Sequence, residues 1–167
     1  MSGRLPYVDC PDRPLTPHFK LYEFLRSDTA AKGDIDNTPW GSEERNLEQV
    51  ARYLEAERAL LGAHYGCKVQ IHITSGFRSE ELNQAVGGSE TSDHLEGLAC
   101  DRWHERMDDR TMIDPFAVIR ILEASDLPFD QLIYYPGEPR IHSGYGKPMR
   151  REIRHKAGSR YPLGLPG

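Results

Sequence analysis

The chain has 167 residues, 38% of them hydrophobic, and a formal net charge of −5, which fits one compact domain with a modest core. The acidic balance argues against a protein that lives on nucleic-acid phosphates, since that work needs a basic face. No stretch approaches the ~20 apolar residues of a membrane span, and Met1 to Pro6 lacks the apolar run of a secretory signal. Cys10, Cys67 and Cys100 are far apart and odd in number, without a CxxC pair. They therefore read as reduced thiols, neither a disulfide framework nor a thiolate metal site.

The first 17 residues hold four prolines, and residues 1–14 read as an extended arm. Leu21 to Ser27 is expected to form a short helix, and Lys32 to Trp40 a loop rich in Gly, Asp, Asn and Pro. The strongest helical signal follows. Ser42 is the expected N-cap, Glu43 and Glu44 suit the first turn, and Leu47, Val50, Ala51, Leu54 and Leu61 recur at helical spacing. Val69 to Thr74 alternates as a half-buried strand, and Ser79 to Val86 reads as a short helix closed by Gly87-Gly88. Ala99 to Trp103 is a second expected strand, the charged run Arg102 to Arg110 a solvated loop, and Asp114-Pro115 the cap of a helix reaching Ala124. Two further strands, Gln131 to Tyr135 and Arg140 to Tyr145, flank the turn Pro136-Gly137-Glu138-Pro139. Residues 15–150 make the expected domain, and 151–167 a basic, Gly- and Pro-rich tail that packs on it or on a partner. Helices precede most strands, which predicts an α+β fold with a small, mainly antiparallel sheet and helices on one side.

Ser92-Asp93-His94-Leu95-Glu96-Gly97-Leu98-Ala99-Cys100-Asp101 places a carboxylate seven residues after a histidine. The chain can leave a loop, turn at Gly97 and enter a strand aimed back at the same point. With His142 in a later strand, two imidazoles and one carboxylate make a Zn2+ ligand set whose fourth position stays open, the mark of a catalytic rather than a structural site. Asp130 and Glu138 are the nearby carboxylates that could act as general base. His72 lies on the polar face of its strand, and His18, His64, His104 and His155 receive no role.

Ile73–Ser79, Asn83, Gly87-Gly88, Ser92-x-His94-x-x-Gly97-x-Ala99-x-Asp101, Phe129-Asp130-Gln131 and Ile141-His142 occur here in order. With Leu15–Phe19 and Ile35–Pro39, this pattern resembles the M15 peptidases. These are D-Ala-D-Ala carboxypeptidase-like enzymes that include phage endolysins and share the fold of the hedgehog signalling domain. The resemblance spans about residues 15–150. It implies zinc on His94, Asp101 and His142. It also implies an Arg78 that faces the cleft to bind a substrate carboxylate or polarise the scissile carbonyl, and a Ser92 that assists by hydrogen bonding. It further implies peptidoglycan peptides as substrate and phage or prophage origin. The protein would then stay in the host cytoplasm until lysis, or be carried in a virion among tail proteins.

One element departs from the pattern. Relatives carry a glutamate three or about six residues before the last histidine, where this chain has Pro139 and Pro136. Glu138, four before, stands at an unusual spacing. Two functions therefore stay open: a zinc peptidase, and a virion structural or wall-docking protein that keeps the fold and metal with little activity. A metal-free domain in which His94 and His142 only pack is the third.

Overall fold

The computed structural model describes residues 12–167; most of the expected arm, up to Pro11, lies outside them. Short α1 (Leu21–Leu25) and α2 (Asp28–Gly33) lead into the long α3 (Gly41–Tyr65). The sheet strands are β1 (Val69–Ser75), β2 (Ala99–Arg106), β3 (Gln131–Tyr134), β4 (Ile141–Gly144) and β5 (Glu152–His155). α4 (Glu80–Ala85) and a 3-10 turn (Asp93–Glu96) lie between β1 and β2, and α5 (Pro115–Glu123) lies between β2 and β3.

The strand order is β1-β2-β4-β3-β5. β1–β2, β2–β4 and β3–β4 pair antiparallel, but β3 and β5 pair parallel. The sheet is therefore mixed, which corrects the mainly antiparallel sheet expected from the sequence. The reason lies in the return of the chain. β5 runs opposite to β4, as a short connection favours, but β3 already occupies the edge of β4. β5 docks beyond β3 and so runs alongside it in the same direction. Residues 152–155 of the basic tail are thus part of the sheet, and Leu165 packs against the core.

α3 lies across β1 and β2, and α5 against β3. Leu47, Val50, Ala51, Leu54 and Leu61 face Val69, Ile71, Ile73, Cys100, Leu132 and Ile141 in one buried cluster. Burying a Leu, Ile or Val side chain contributes about 1.5–3 kcal/mol each, so this seam is the main source of cohesion.

Three local expectations change. α3 begins at Gly41 after Trp40, not after Ser42, because the Glu43 carboxylate accepts the Trp40 N–H at 2.8 Å and closes the first turn one step earlier. α2 occupies part of a stretch read as loop, with Ser27 Oγ accepting from Ala30 N. The run Arg102 to Arg110 is no solvated loop in its first half. Arg102 to Arg106 continue β2, and Arg102 is fully buried. It lies there because Glu57 of α3 takes its Nε at 2.7 Å and Nη2 at 2.5 Å.

Candidate metal centre and cleft

Strand alternation separates two environments. Arg102, Cys100 and Ser143 point toward the helices, whereas Asp101 and His142, paired across β2 and β4, point to the other face. That face floors a cleft of about 1350 Å³ lined by Arg78, Ser92, Asp93, His94, Asp101, Asp130, Tyr135, Arg140 and His142, among others.

Each side chain of the centre is placed by a local device. Gly97 ends the 3-10 turn in a left-handed conformation (φ 69°), and a Cβ there would lie 2.7 Å from the Glu43 carbonyl oxygen of α3. Glycine is thus required twice over, for its conformation and for the close approach. Ser92 caps the same turn, its Oγ accepting from His94 N at 3.4 Å. Upstream, buried Asn37 donates to the carbonyls of Leu25 and Phe77 and accepts from Ser79 N. It stitches the segment 75–79 to the end of α1. Gly76 lies against Phe24, where a Cβ would stand 2.6 Å from a carbonyl oxygen.

His94 Nδ1 donates to the Gly76 carbonyl at 2.5 Å, which turns Nε2 toward the cleft as a lone-pair donor. Asp101 Oδ1 lies 3.5 Å from His94 Nε2 and 2.8 Å from His142 Nδ1. One ligand atom from each residue falls within 4.8 Å of the others. Two ligands at about 2 Å from one tetrahedral zinc stand about 3.3 Å apart, so the donor set fits such an ion. Asp101 Oδ2 points the other way, taking Arg78 Nη2 at 3.0 Å and Arg140 Nη1 at 3.2 Å. Arg78 is also held by Ser75 Oγ at 2.9 Å. Burial would raise the pKa of Asp101, but His94 and His142 override it and hold the carboxyl well below its usual range. Burial keeps His94 neutral by lowering its pKa against the pull of Asp101.

The two carboxylates expected to act as base are both engaged. Asp130 is clamped by Arg150, through Nε at 2.8 Å and Nη2 at 2.7 Å, and these bonds lower its pKa. Glu138, in the β3–β4 turn, takes Arg140 Nε at 2.7 Å. Glu138 is thus joined to Asp101 through a single guanidinium.

Two residues escaped the sequence reading. Asp93 lines the cleft beside its motif neighbour His94, and burial raises its pKa although His142 opposes. Room for it comes from Gly144, where a Cβ would stand 2.6 Å from Asp93 Oδ2. Arg140 lies with its guanidinium carbon 4.0 Å from the Tyr135 ring centre. Asp93 sits inside the quoted motif and could have been weighed as a cleft carboxylate. For Arg140 the turn neighbours Tyr135 and Glu138 are local, but the tie to Asp101, 39 residues earlier, leaves no signal in the sequence. His72 stacks on Trp103 with ring centres 4.0 Å apart and bonds Glu105 at 2.7 Å.

A His-Asp-His donor set on a strand-built cleft floor defines the class, a candidate mononuclear metal centre with one side open to a ligand. The sequence profile described as Peptidase M15 matches residues 17–133, and the chain belongs to that peptidase family. His142 and Arg140 lie beyond the matched residues. No curated protein matches the chain. Among the described residues, no helix is long and apolar enough to cross a membrane.

Proposed function

We propose that the protein is a zinc-dependent peptidase that cuts peptidoglycan peptides, as a D-Ala-D-Ala carboxypeptidase or endopeptidase, and that it is encoded by a phage or prophage. The observation that carries this reading is the convergence of His94 Nε2, Asp101 Oδ1 and His142 Nδ1 on one side of a wide cleft, in a chain of the M15 family. Zinc bound there would supply Lewis acidity toward a peptide carbonyl and acidify water.

The protein's own groups do the rest. Gly76 fixes the His94 tautomer, and Arg78 and Arg140 orient Asp101 through its outer oxygen. Arg78, partly exposed to the cleft, binds the developing negative charge of the substrate carbonyl. Proton transfer falls to Glu138 or Asp93. Glu138 is tied to the centre through Arg140, which also bonds Asp101, and Asp93 lines the cleft beside His94.

The test is zinc analysis of the purified protein together with release of peptides or D-alanine from purified cell walls. Stoichiometric zinc with release, both lost in His94→Ala, is the expected result. No release from several wall chemotypes by zinc-loaded protein would sink the reading. Glu138→Gln and Asp93→Asn then separate the two proton acceptors.

A second reading is a virion structural or wall-docking protein that holds zinc but cuts little. It draws support from the pairing of Glu138 with Arg140 and of Asp130 with Arg150, which occupies both expected bases. Activity lost in Glu138→Gln but kept in Asp130→Asn would contradict it.

A further inference from the structure

The chain beyond β5 lengthens the floor of the cleft. It turns back at Gly158-Ser159, where Gly158 has φ 61° and Ala157 and Arg160 exchange both backbone bonds, at 2.9 and 3.0 Å. Glycine at the first central position suits such a two-residue turn. The returning residues 161–164 pair with β5, His155 N donating to the Pro162 carbonyl and Gly164 N to the Ile153 carbonyl. Leu163 therefore faces Arg154, and the same register sets Tyr161 opposite Lys156. This ribbon lies beyond residues 17–133, which the family profile matches.

Register carries one row of side chains straight across the sheet. Asp101 is paired with His142, His142 with Ile133, Ile133 with Arg154, and Arg154 with Leu163. Partners directly opposite share a face. Asp101, His142, Ile133 and Arg154 all line the cleft, and Leu163 ends their row. Tyr161, two residues earlier, lines the cleft as well. Leu163 is 66% exposed and Tyr161 40%, and apolar side chains gathered in the open at one end of a cleft mark a surface that binds. Arg154 stands between them and the centre. Its charge is answered by Glu152 at 2.5 Å, and its Nη1 donates to the Tyr161 carbonyl at 2.6 Å, so what it offers a ligand is its alkyl stem.

We propose that Leu163 and Tyr161 form a distal subsite for the substrate peptide, which holds an apolar side chain about four residues from the scissile bond. This rests on the peptidase reading of the same cleft. Distance sets the length. Three strand spacings separate His142 from Leu163, ~14 Å in all, and an extended peptide covers that in about four residues. A dipeptide seated at the centre does not reach so far. The occupant is a peptide because the row is continuous with the centre, with buried Ile133 and the Arg154 stem as the floor between. Beyond His142 the row is apolar or neutralised, so selection there works by burying a side chain rather than by charge.

The test is direct binding, by calorimetry on the full-length zinc-loaded protein, of four probes. The first is N-acetyl-D-alanyl-D-alanine amide. Two more lengthen it by three alanines and a final leucine, one on the amino side and one on the carboxyl side. The fourth is a trimer of N-acetylglucosamine. One of the two lengthened peptides is expected to bind about 10-fold tighter than the short one, the worth of part-burying one aliphatic side chain. That gain should shrink toward unity in Leu163→Ala and in Tyr161→Ala, both of which alter exposed side chains. Equal binding of all three peptides overturns the proposal, as does a gain untouched by both substitutions. An equal loss on the short peptide marks a general structural effect and overturns it too. Tightest binding of the sugar trimer, lost in Leu163→Ala, would assign the surface to a glycan and overturn the peptide subsite. Hydrolysis of purified walls is read on the same protein. Walls digested without a length gain defeat the subsite alone. A length gain that depends on Leu163, without any hydrolysis, leaves the subsite standing and defeats the peptidase reading.

Discussion

Two carboxylate-centred clusters sit back to back across β2 and β4, meeting at the adjacent β2 residues Asp101 and Arg102. On the helix side, Glu57 gathers Arg102 and His104; on the cleft side, Asp101 gathers His94, His142, Arg78 and Arg140. The residue types are the same, and the outcomes differ. Glu57 is closed. Both its oxygens meet a fork of Arg102 N–H groups, His104 adds a bond at 2.6 Å, and Ser143 takes the remaining Arg102 Nη1 at 2.7 Å. Its parts are at most 3% exposed, so nothing from solvent can bind. Asp101 is equally buried but divides its two oxygens between two guanidiniums and two imidazoles, and all four of these partners line the cleft. The lesson is that a histidine and a carboxylate make a ligand site only where their lone pairs converge and stay accessible. Otherwise the same groups make a brace.

The comparison is broken most severely by removing a ligand from the open cluster. His142→Ala is expected to abolish stoichiometric zinc and wall-peptide release, while its urea unfolding midpoint moves less than that of a Glu57 substitution. Zinc analysis and urea titration of the same preparation check both halves.

Glu57→Ala is the reciprocal experiment. It leaves the Arg102 charge buried without a partner, so folding stability is expected to fall by about 3–5 kcal/mol. The protein that remains folded should still bind zinc.

Acid tests the closed cluster without mutation. Burial would raise the Glu57 pKa, but Arg102 and His104 hold it down to about 2 from an ordinary 4.5. Its contribution is complete above pH 4.5 and is lost as pH falls toward 2, about 3 kcal/mol in all. Burial also lowers the pKa of His104 below its ordinary 6.5, against Glu57. The unfolded chain therefore takes up that proton first, and stability begins to decline below pH 6.5. Urea midpoints between pH 7 and 3 should fall throughout, and in Glu57→Gln the fall below pH 4.5 should shrink to the part carried by other depressed carboxyls such as Asp101 and Asp130.

The smallest expected effect is at the outer oxygen of Asp101. Arg78→Ala removes one of two guanidiniums and should weaken zinc affinity by about 10–100-fold, the usual cost of losing a group that orients a metal ligand. Competition with a chelator of known affinity measures it. An unchanged affinity would mean that Arg140 alone orients Asp101.

Much of this was legible in the chain. The amphipathic period of α3, the alternation of β1 and the Asp114-Pro115 cap of α5 are local patterns, and each element formed near its expected bounds. His94, Gly97 and Asp101 were readable because they lie within eight residues, and His142 because it lies in the second strand of a recognisable pair. Arg102 misled the reading, since a charged run looks solvated until Glu57, 45 residues earlier, is brought beside it.

The sequence by itself determined the membership in the M15 peptidases, the helix and strand periods and the three residues able to share a metal, because those depend on short spacing and residue chemistry. Only the tertiary structure decided that β5 runs parallel to β3, that Arg140 leans on Tyr135 and Asp101, and that Asp130 is tied to Arg150. Those outcomes turn on which remote groups meet. A charge is placed by the partner that neutralises it, and in this chain most of the decisive partners lie tens of residues away.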